Sequence, residues 1–584
     1  MIKKILMSWN NFFSSLSNKP SLWDAFVLSF FVILVTWHPF YLHGRINIFE
    51  NGLYLPGIDA ILRGQVPYRD FFYLRGPFEI YVPAGLMAIF GTHLGVLSTY
   101  FYVGTVLTLI LCVFLAKELY ATRLFLYVAV PVLAARTFPR VVFTYWGGMR
   151  FVLGLLAVWC AVKFFKSQKL RWLFFAGCVT SCALLTSVDI GVCAAAGVMA
   201  ALLLSLIFRP REQRSALKPL AIFILGILFV AIPCGVYLIA AGSFFNYVDT
   251  TLTVVSGIPK ILNPELLPVA PRNFTEVFWA MVNPSNKNFR HMTPVYFYLL
   301  IIIYMIFQIK NRKLTSKSLI IACLAVYGIV LYKSSFYAIW GSKFEMALQP
   351  EKILLFFIFE RIYFLLKERK QVAVPGSAFL KAPQADAGRL RTRLVNTALV
   401  FFIIFSLGYS INHYTKRFFV FRWIKNVLSH KDTSGLLPFK KDDARPLRIE
   451  RAKGIIVPVL QADELEAVVD FIQKNTGNSE VVFMYQELGA YSFFVDRPFL
   501  GRFPGADFSW YKEKWHKEFI ADFKRVKPKY IVISREIPLS WKEIFFTLSE
   551  NKKKFDEVMD IIKSDYALVH TTPLSYIYEI RKPR

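Results

Sequence analysis

The sequence is poor in charged residues and lacks the short patterns that mark many soluble enzymes. Only 18% of its 584 residues are charged, whereas a soluble protein carries about 25%. It contains no Walker loop and no GxGxxG, Gly-x-Ser-x-Gly or Asp-x-Asp pattern. These absences argue against a nucleotide or nucleotide-sugar site and against an α/β-hydrolase nucleophile.

Cysteine and histidine are scarce, and their positions suit neither disulfides nor metals. All seven cysteines lie in apolar runs before residue 324, so the C-terminal part has no disulfide framework. Cys178 and Cys182 share a helix face, but no histidine or acid is nearby, and we interpret them as packing residues. The eight histidines show no metal-ligand spacing. We therefore predict no cofactor, although the sequence is compatible with a divalent metal.

Long apolar runs are what the chain has in abundance. Apolar residues make up 55% of it, and runs of 15 to 23 residues recur through the first 412 positions. Runs of this length predict helices that cross a bilayer. The expected fold class is therefore a mostly α polytopic membrane protein with about eleven transmembrane helices. The predicted spans are 22–42, 94–116, 124–138, 151–165, 172–188, 190–208, 219–241, 294–309, 318–332, 351–366 and 394–412.

The net charge of +30 reflects membrane topology rather than nucleic-acid binding. Alternate loops that would face the cytoplasm hold 24 Lys and Arg in 84 residues, against 13 in 136 for the loops that would face outside. This threefold difference in density follows the positive-inside rule. The N-terminus is thus predicted in the cytoplasm, and with eleven spans the C-terminus is extracytoplasmic.

The composition changes near residue 413 to that of a soluble domain. Residues 1–412 form the predicted transmembrane domain, and residues 413–584 hold 30 Lys and Arg against 23 Asp and Glu. Strand-like runs alternate with helical patterns there, which favours a small extracytoplasmic α/β domain. The strand-like runs are 455–459, 480–484, 530–534 and 575–580, and the helical patterns are 463–474 and 517–525.

The loop after the first span, residues 43–93, mixes four acids and four arginines with aromatic residues. This mixture is too charged for hydrocarbon and too apolar for a free loop, so we expect it at the membrane surface. Residues 50–63 carry apolar side chains at helical spacing. Gly64 stands where a left-handed residue ends a helix, and Pro67 prevents its resumption.

Four stretches of this loop resemble the first external loop of GT-C membrane glycosyltransferases. These enzymes use polyprenyl-phosphate sugars and are related to protein mannosyltransferases and the lipid A aminoarabinose transferase. The resemblance covers about fifty residues, and elsewhere in the first 412 only the architecture agrees. In that superfamily an acid early in this loop is the presumed catalytic base, which implies this role for Glu50. The stretches are ENGLY at 50–54, DAILRG at 59–64, PYRDF at 67–71 and GP at 76–77.

Glycosyl transfer at this face requires a base and cations. A hydroxyl acceptor needs a carboxylate to take its proton, and a lipid-phosphate leaving group needs positive charge beside it. Glu50 is the first candidate for the base, because a position near a helix start helps to keep it ionised. Asp70 is the second, as a group that orients the acceptor or simply holds an arginine. The candidate carrier-phosphate-binding residues are Arg75, Arg136, Arg140, Arg150 and Lys343.

Other charged residues leave two interpretations open. Asp59 is a further site candidate or a solvated helix residue. Asp189, near the end of an apolar run, is a candidate because a buried acid there is costly, or it reaches headgroups at a break between two spans. Glu79, at the far end of the loop, is expected to matter less. Lys343 is singled out because residues 336–350 resemble the late external segment of the superfamily, which helps to bind the carrier phosphate.

These observations favour an enzyme of a bacterial-type inner membrane. It would move one sugar from a polyprenyl-phosphate carrier to an acceptor of the cell envelope by a single inverting displacement on the extracytoplasmic face. The expected partners are the carrier-linked sugar, membrane lipids and the envelope acceptor, without nucleic acid. Two alternatives remain: an envelope polysaccharide ligase or polymerase, and a non-enzymatic lipid or sugar transporter. A transporter would favour internally repeated halves, which the sequence does not show.

The topology can be tested directly. A reporter that is active only in the cytoplasm, fused after Arg584, should give no signal, because an odd number of spans carries the C-terminus outside. The same reporter fused within the basic segment 310–317 is the positive control. A strong signal from the C-terminal fusion would contradict the topology and the extracytoplasmic site.

Overall fold

The computed structural model describes residues 16–138, 148–208, 217–261, 273–286, 288–335, 342–368, 381–430, 443–486, 489–537, 542 and 545–581. Helices dominate up to residue 428, and a smaller α/β region follows. The helices of the first part are α1 Leu22–Thr36, α2 Ile48–Gly52, α3 Leu55–Leu62, α4 Pro77–Phe90, α5 Leu94–Leu119, α6 Arg123–Thr137, α7 Gly148–Ser167, α8 Leu170–Thr186, α9 Val188–Phe208, α10 Leu217–Ala240, α11 Phe244–Ile261, α12 Phe274–Val282, α13 Phe289–Lys310, α14 Ser316–Ser334, α15 Ser342–Ala347, α16 Gln349–Glu368, α17 Lys381–Arg417 and α18 Phe419–Leu428.

Each predicted span carries a helix, although their ends differ by several residues. Within the described ranges, six helices are long and apolar enough to cross a membrane: Leu94–Leu119, Val188–Phe208, Leu217–Ala240, His291–Lys310, Ser316–Ser334 and Leu394–Arg417. Small residues let neighbouring apolar helices approach closely, as is typical in membranes. A Cβ on Gly177 of α8 would stand 2.2 Å from the carbonyl oxygen of Phe223 in α10, and Gly226 makes the reciprocal approach to Phe174.

Glu360 and Arg361, which the sequence places within a span, find separate partners. Glu360 accepts hydrogen bonds from the backbone N–H groups of Ala121 and Thr122 at 2.9–3.0 Å, just before α6 begins. The Arg361 guanidinium lies 5.4 Å from the ring centroid of Phe357. The carboxylate therefore occupies the positive N-terminal end of a neighbouring helix, which compensates its burial.

The first loop, defined here as residues 43–76, folds as two short helices instead of the one helix that its spacing predicts. Asn47 caps α2, its Oδ1 accepting the N–H of Glu50 at 3.0 Å. The chain then turns before α3, because Pro56 has no N–H to continue a helix from α2. Helix α3 ends at Leu62, and Gly64 has φ +85° as predicted.

The α/β region follows from residue 443 and contains two small sheets. Strands β1 and β2 are antiparallel, and the second sheet has the order β3-β4-β6-β5, in which only β3 and β4 are parallel. The predicted strands and helices are present at the expected places; β1, β5, α20 and α22 were not anticipated. The elements are β1 Ala444–Pro446, β2 Ile456–Pro458, α19 Val459–Asn475, β3 Val482–Tyr485, α20 Gly489–Phe494, α21 Glu513–Val526, β4 Tyr530–Ser534, α22 Ser549–Asp565, β5 Tyr566–Thr571 and β6 Ser575–Ile580.

The α/β region packs directly on the first loop, so the two lie on the same side of the membrane helices. Gly44 donates its N–H to the carbonyl of Ile456 at 2.8 Å. Phe72 is buried among Phe503, Phe508 and Trp515 of the α/β region, with ring centroids 5.1–5.8 Å apart. One hydrophobic core includes residues from both parts of the chain.

The end of the first loop docks on the membrane helices through Gly76. Its N–H bonds to the carbonyl of Thr186 at 3.2 Å, and a Cβ at this position would stand 2.0 Å from the carbonyl oxygen of Leu185. The backbone at Gly76 is extended, with φ −72°, so its requirement for glycine is one of space alone.

Gly76→Ala should therefore destabilise the protein by about 1–3 kcal/mol, the usual cost of overpacking, because the obstructing atoms are backbone. Thermal unfolding in detergent measures this as a lower melting temperature. Gly85→Ala is the matched control: Gly85 lies on an exposed side of α4, and no atom of the described residues comes within 4 Å of the added Cβ, so this change should be neutral or slightly stabilising. Equal melting temperatures for the two variants would contradict the close approach.

Candidate active site

Glu50 lies in the first turn of α2, with one oxygen buried. Its Oε2 atom has no hydrogen-bond partner within the described part of the chain. Burial raises the pKa of the Glu50 carboxyl, and the nearby positive charges of Arg75 and Arg150 oppose that rise. A carboxylate with an unused oxygen and a raised pKa is suited to accept a proton.

Arg75 is held in place at the end of the first loop. Its Nη1 donates to Oε1 of Glu79 at 3.2 Å, and its guanidinium lies 5.7 Å from the ring centroid of Tyr54. The Tyr54 hydroxyl donates to the same Glu79 oxygen at 3.3 Å. Burial opposes the positive charge of Arg75, but the nearby carboxylates of Glu79 and Asp189 favour it, and the pKa of the guanidinium is raised. Arg75 is thus a fixed positive charge.

Asp189 joins the first loop to the late segment that contains Lys343. Lys343 is 5% exposed and donates its Nζ proton to Oδ2 of Asp189 at 2.6 Å. Ser187 and the N–H of Ile190 donate to the other oxygen at 2.5 and 2.9 Å. Asp189 also interacts electrostatically with Arg75 and Arg150. The sequence-predicted Arg75, Arg150, Asp189 and Lys343 therefore lie in one place.

Six charged side chains form this group, which we call the charge cluster. It contains three acids and three cations, so its formal charge is zero when all six are ionised. Its buried members are almost fully removed from water: Glu79 is 1% exposed, Arg150 3% and Lys343 5%. The members are Glu50, Glu79, Asp189, Arg75, Arg150 and Lys343.

Two members of this neighbourhood were not anticipated from the sequence. Glu79 was expected to be peripheral, but it is buried and bound to both Arg75 and Tyr54. The spacing of Arg75 and Glu79, four residues apart at a helix start, is the signal that could have indicated their pairing. Tyr54 carries no such signal, because its role depends on how α2 and α3 fold together.

The remaining predicted site residues lie elsewhere or outside the described residues. Asp70 accepts two hydrogen bonds from Arg69, both 2.8 Å, and one from the N–H of Val66 at 2.7 Å, which closes the turn before Phe71. Arg136 is in the last turn of α6, where its charge acts on His413. Arg140 is outside the described residues.

Asp59 belongs to an ion-pair network between the first loop and the α/β region, and is not a solvated helix residue. Asp59 is 6% exposed, and its carboxylate accepts hydrogen bonds from Arg63 at 2.9 Å and from Arg451 at 2.7 Å. Both arginines also bind Asp496. The network fixes α3 to the α/β region, so Asp59 has an evident structural use.

In the described part of the chain, no group of three or more His, Cys, Asp and Glu side chains is arranged to hold a metal ion. The charge cluster offers carboxylates together with cations at close range. Such an arrangement is suited to binding an anion beside a base.

Comparisons with known proteins identify the fold. No family model matches the sequence, and no curated protein matches it. The crystal structure of ArnT from Cupriavidus metallidurans bound to undecaprenyl phosphate is similar with a TM-score of 0.50 and 10% identity, covering 94% of this chain and 97% of that one. The same protein in the apo state gives 0.48 and 12%, with the same coverage.

A further solved structure is the oligosaccharyltransferase AglB from Archaeoglobus fulgidus in complex with an inhibitory peptide and a dolichol-phosphate. Its TM-score is 0.46 at 10% identity, and the match covers 89% of this chain and 69% of that one. ArnT and AglB are GT-C glycosyltransferases. The ArnT likeness spans nearly all of both chains, and this chain is an integral membrane protein with the GT-C glycosyltransferase fold.

Proposed function

We propose that this protein transfers a sugar from a polyprenyl-phosphate carrier to an extracytoplasmic acceptor of the cell envelope. The carrying observation is the Oε2 atom of Glu50, which lies near Arg75 and Arg150 and has no hydrogen-bond partner among the described residues. The proposal includes eleven spans, a cytoplasmic N-terminus and an extracytoplasmic domain at residues 413–584. The GT-C fold supports glycosyl transfer in general.

In the proposed reaction, the acid Glu50 acts on the acceptor and the arginines of the charge cluster act on the leaving phosphate. The acceptor hydroxyl oxygen attacks the anomeric carbon of the sugar, and Glu50 takes the hydroxyl proton. The bond from that carbon to the phosphate oxygen breaks, and the electron pair leaves with the polyprenyl phosphate. A single displacement of this kind inverts the anomeric centre. The sugar would therefore lie between Glu50, on the acceptor side, and the arginines on the phosphate side.

Arg75 and Arg150 are the proposed phosphate-binding groups. Arg75 is oriented by Glu79 and Tyr54, so its planar guanidinium is presented without further loss of side-chain freedom. Arg150 is buried in the first turn of α7 and acts on Glu50 and Asp189. Charge that develops on the leaving phosphate would be stabilised by both, in surroundings with little water.

Glu50→Gln should lower turnover by about 10²–10⁴-fold, roughly 3–5 kcal/mol of barrier, because the amide keeps the size of the side chain but cannot take a proton. Glu50→Asp should be intermediate. The assay is transfer of a labelled sugar from purified polyprenyl-phosphate carrier to an envelope acceptor fraction. Asp70→Asn is the matched control, since its carboxylate serves the turn at Arg69. Near-full turnover by Glu50→Gln would contradict the assignment and make Asp70 the leading base.

The pH profile of the wild type provides a second readout for Glu50. A base must be deprotonated, so kcat/KM falls as the pH is lowered through its pKa. Burial raises the pKa of Glu50, and the midpoint should lie above about 4.3, the ordinary value for Glu. Arg69 lowers the pKa of Asp70 through hydrogen bonds, so a midpoint below about 3.9 would indicate Asp70 instead.

Binding of the carrier phosphate by Lys343 can be tested separately from the ion pair of Lys343 with Asp189. If Lys343 binds the carrier phosphate, Lys343→Ala should weaken carrier binding, whereas Lys343→Arg should preserve much of it because the charge remains. The measurement is the Kd of a labelled polyprenyl phosphate, with Lys333→Ala, an exposed lysine at the end of α14, as the matched control. Asp189→Asn should leave binding intact or tighten it. Equal affinity of Lys343→Ala and wild type would remove Lys343 from the site.

A further inference from the structure

Helix α18 presents an apolar face that no other described element covers. It begins two residues after α17 ends and has the sequence FVFRWIKNVL. None of its side chains is buried. Trp423, Ile424, Val427 and Leu428 are 47%, 40%, 45% and 76% exposed. Exposed apolar side chains of this size that adjoin one another mark a binding surface.

The helix is amphipathic along its whole length. At about 100° per residue, these four apolar side chains fall on one face together with Phe419 and Val420. The polar side chains fall on the opposite face: Arg422, Lys425 and Asn426. Lys425 and Asn426 stand toward the two borders between the faces, and Arg422 lies at the middle of the polar face. An apolar face with an aromatic residue opposite a basic, polar face is typical of helices that lie in a membrane surface.

Aromatic contacts fix the orientation of this face. Phe419 packs against Trp37, His38 and Phe40, which follow the end of α1, with centroids 5.5–5.9 Å apart. Phe421 packs against Tyr414 of α17 at 4.9 Å. The helix is therefore attached at its first turn to two membrane-domain helices. These contacts fix the direction in which the uncovered face of α18 points relative to the membrane helices.

The neighbouring helix α17 indicates what covers the apolar face of α18. Helix α17 has its own exposed apolar side chains along the part that is long and apolar enough to cross a membrane. These include Phe401 at 69%, Ile404 at 61%, Phe405 at 74% and Ile411 at 56% exposed. The bilayer covers such a surface, and α18 follows directly where this helix ends.

We propose that α18 is an interfacial helix that binds the bilayer surface on the side of the first loop. Trp423, Ile424, Val427 and Leu428 enter the boundary between headgroups and acyl chains, and Lys425, at the border of the polar face, binds lipid phosphates. The helix leads into the α/β region, whose β2 bonds to Gly44. It thus ties that region to the membrane at a second place besides the first loop.

Spin-label accessibility tests this in nanodiscs of phosphatidylcholine and phosphatidylglycerol. A keto-bearing amino acid introduced at 424, 426 or 427 accepts a nitroxide without removal of the native cysteines. Leu568, 51% exposed on strand β5, is the apolar control position. Labels at 424 and 427 should collide with oxygen in preference to a water-soluble nickel complex, several-fold more than labels at 426 and 568.

Two results would overturn the proposal. Equal nickel accessibility at 424 and 568 would show that the helix stands in water. Protection of 424 from both oxygen and nickel would show that protein, such as a second copy, covers the face. The contact of Lys425 with lipid phosphates is tested in Lys425→Gln with the nitroxide at 427, whose accessibility to nickel should rise. An unchanged ratio there would overturn the phosphate contacts.

Discussion

A charged side chain that leaves water for the surroundings of apolar helices costs several kcal/mol unless opposite charge or hydrogen-bond donors accompany it. This constraint is met repeatedly at the ends of the membrane helices. Glu118 accepts hydrogen bonds from Lys163 and Lys166, both at 2.6 Å. The fully buried Asp24 accepts hydrogen bonds from Arg123 and the Tyr127 hydroxyl. The charge cluster obeys the same rule, with three positive and three negative groups around the junction of the first loop with α7, α8 and α9.

Among the three acids of the charge cluster, Glu50 is the one in which this compensation is incomplete. Its neighbours supply positive potential, but one oxygen has no hydrogen-bond donor within the described part of the chain. Glu79 and Asp189, by contrast, accept bonds from named donors. Within the charge cluster, the free oxygen of Glu50 can therefore accept a hydrogen bond or a proton from a bound molecule. This distinguishes Glu50 from the other two acids of the cluster more sharply than burial alone could.

Much of the architecture could be predicted because it depends on local patterns. Apolar runs located the membrane helices, and the left-handed Gly64 was evident from its place before Pro67. The pairing of Arg75, Arg150, Asp189 and Lys343 could not be derived in the same way, since these residues come from four separate segments. The two-helix form of the first loop depended on Pro56, whose missing N–H overrides the helical spacing around it. The use of Asp59 was hidden as well, because its partner Arg451 lies 392 residues along the chain.

The contact between the first loop and the α/β region also affects the order in which the protein folds during synthesis. Ile46 and Gln461 bond to each other through backbone and side chain across a separation of 415 residues. The ribosome synthesises the loop early and its partner late. These bonds can therefore form only after all the intervening helices have been made and inserted. Contacts this distant in sequence carry a large closure cost and form slowly. Packing of the first loop on the α/β region is thereby deferred until synthesis is nearly finished, and a chain truncated before that region would lack it.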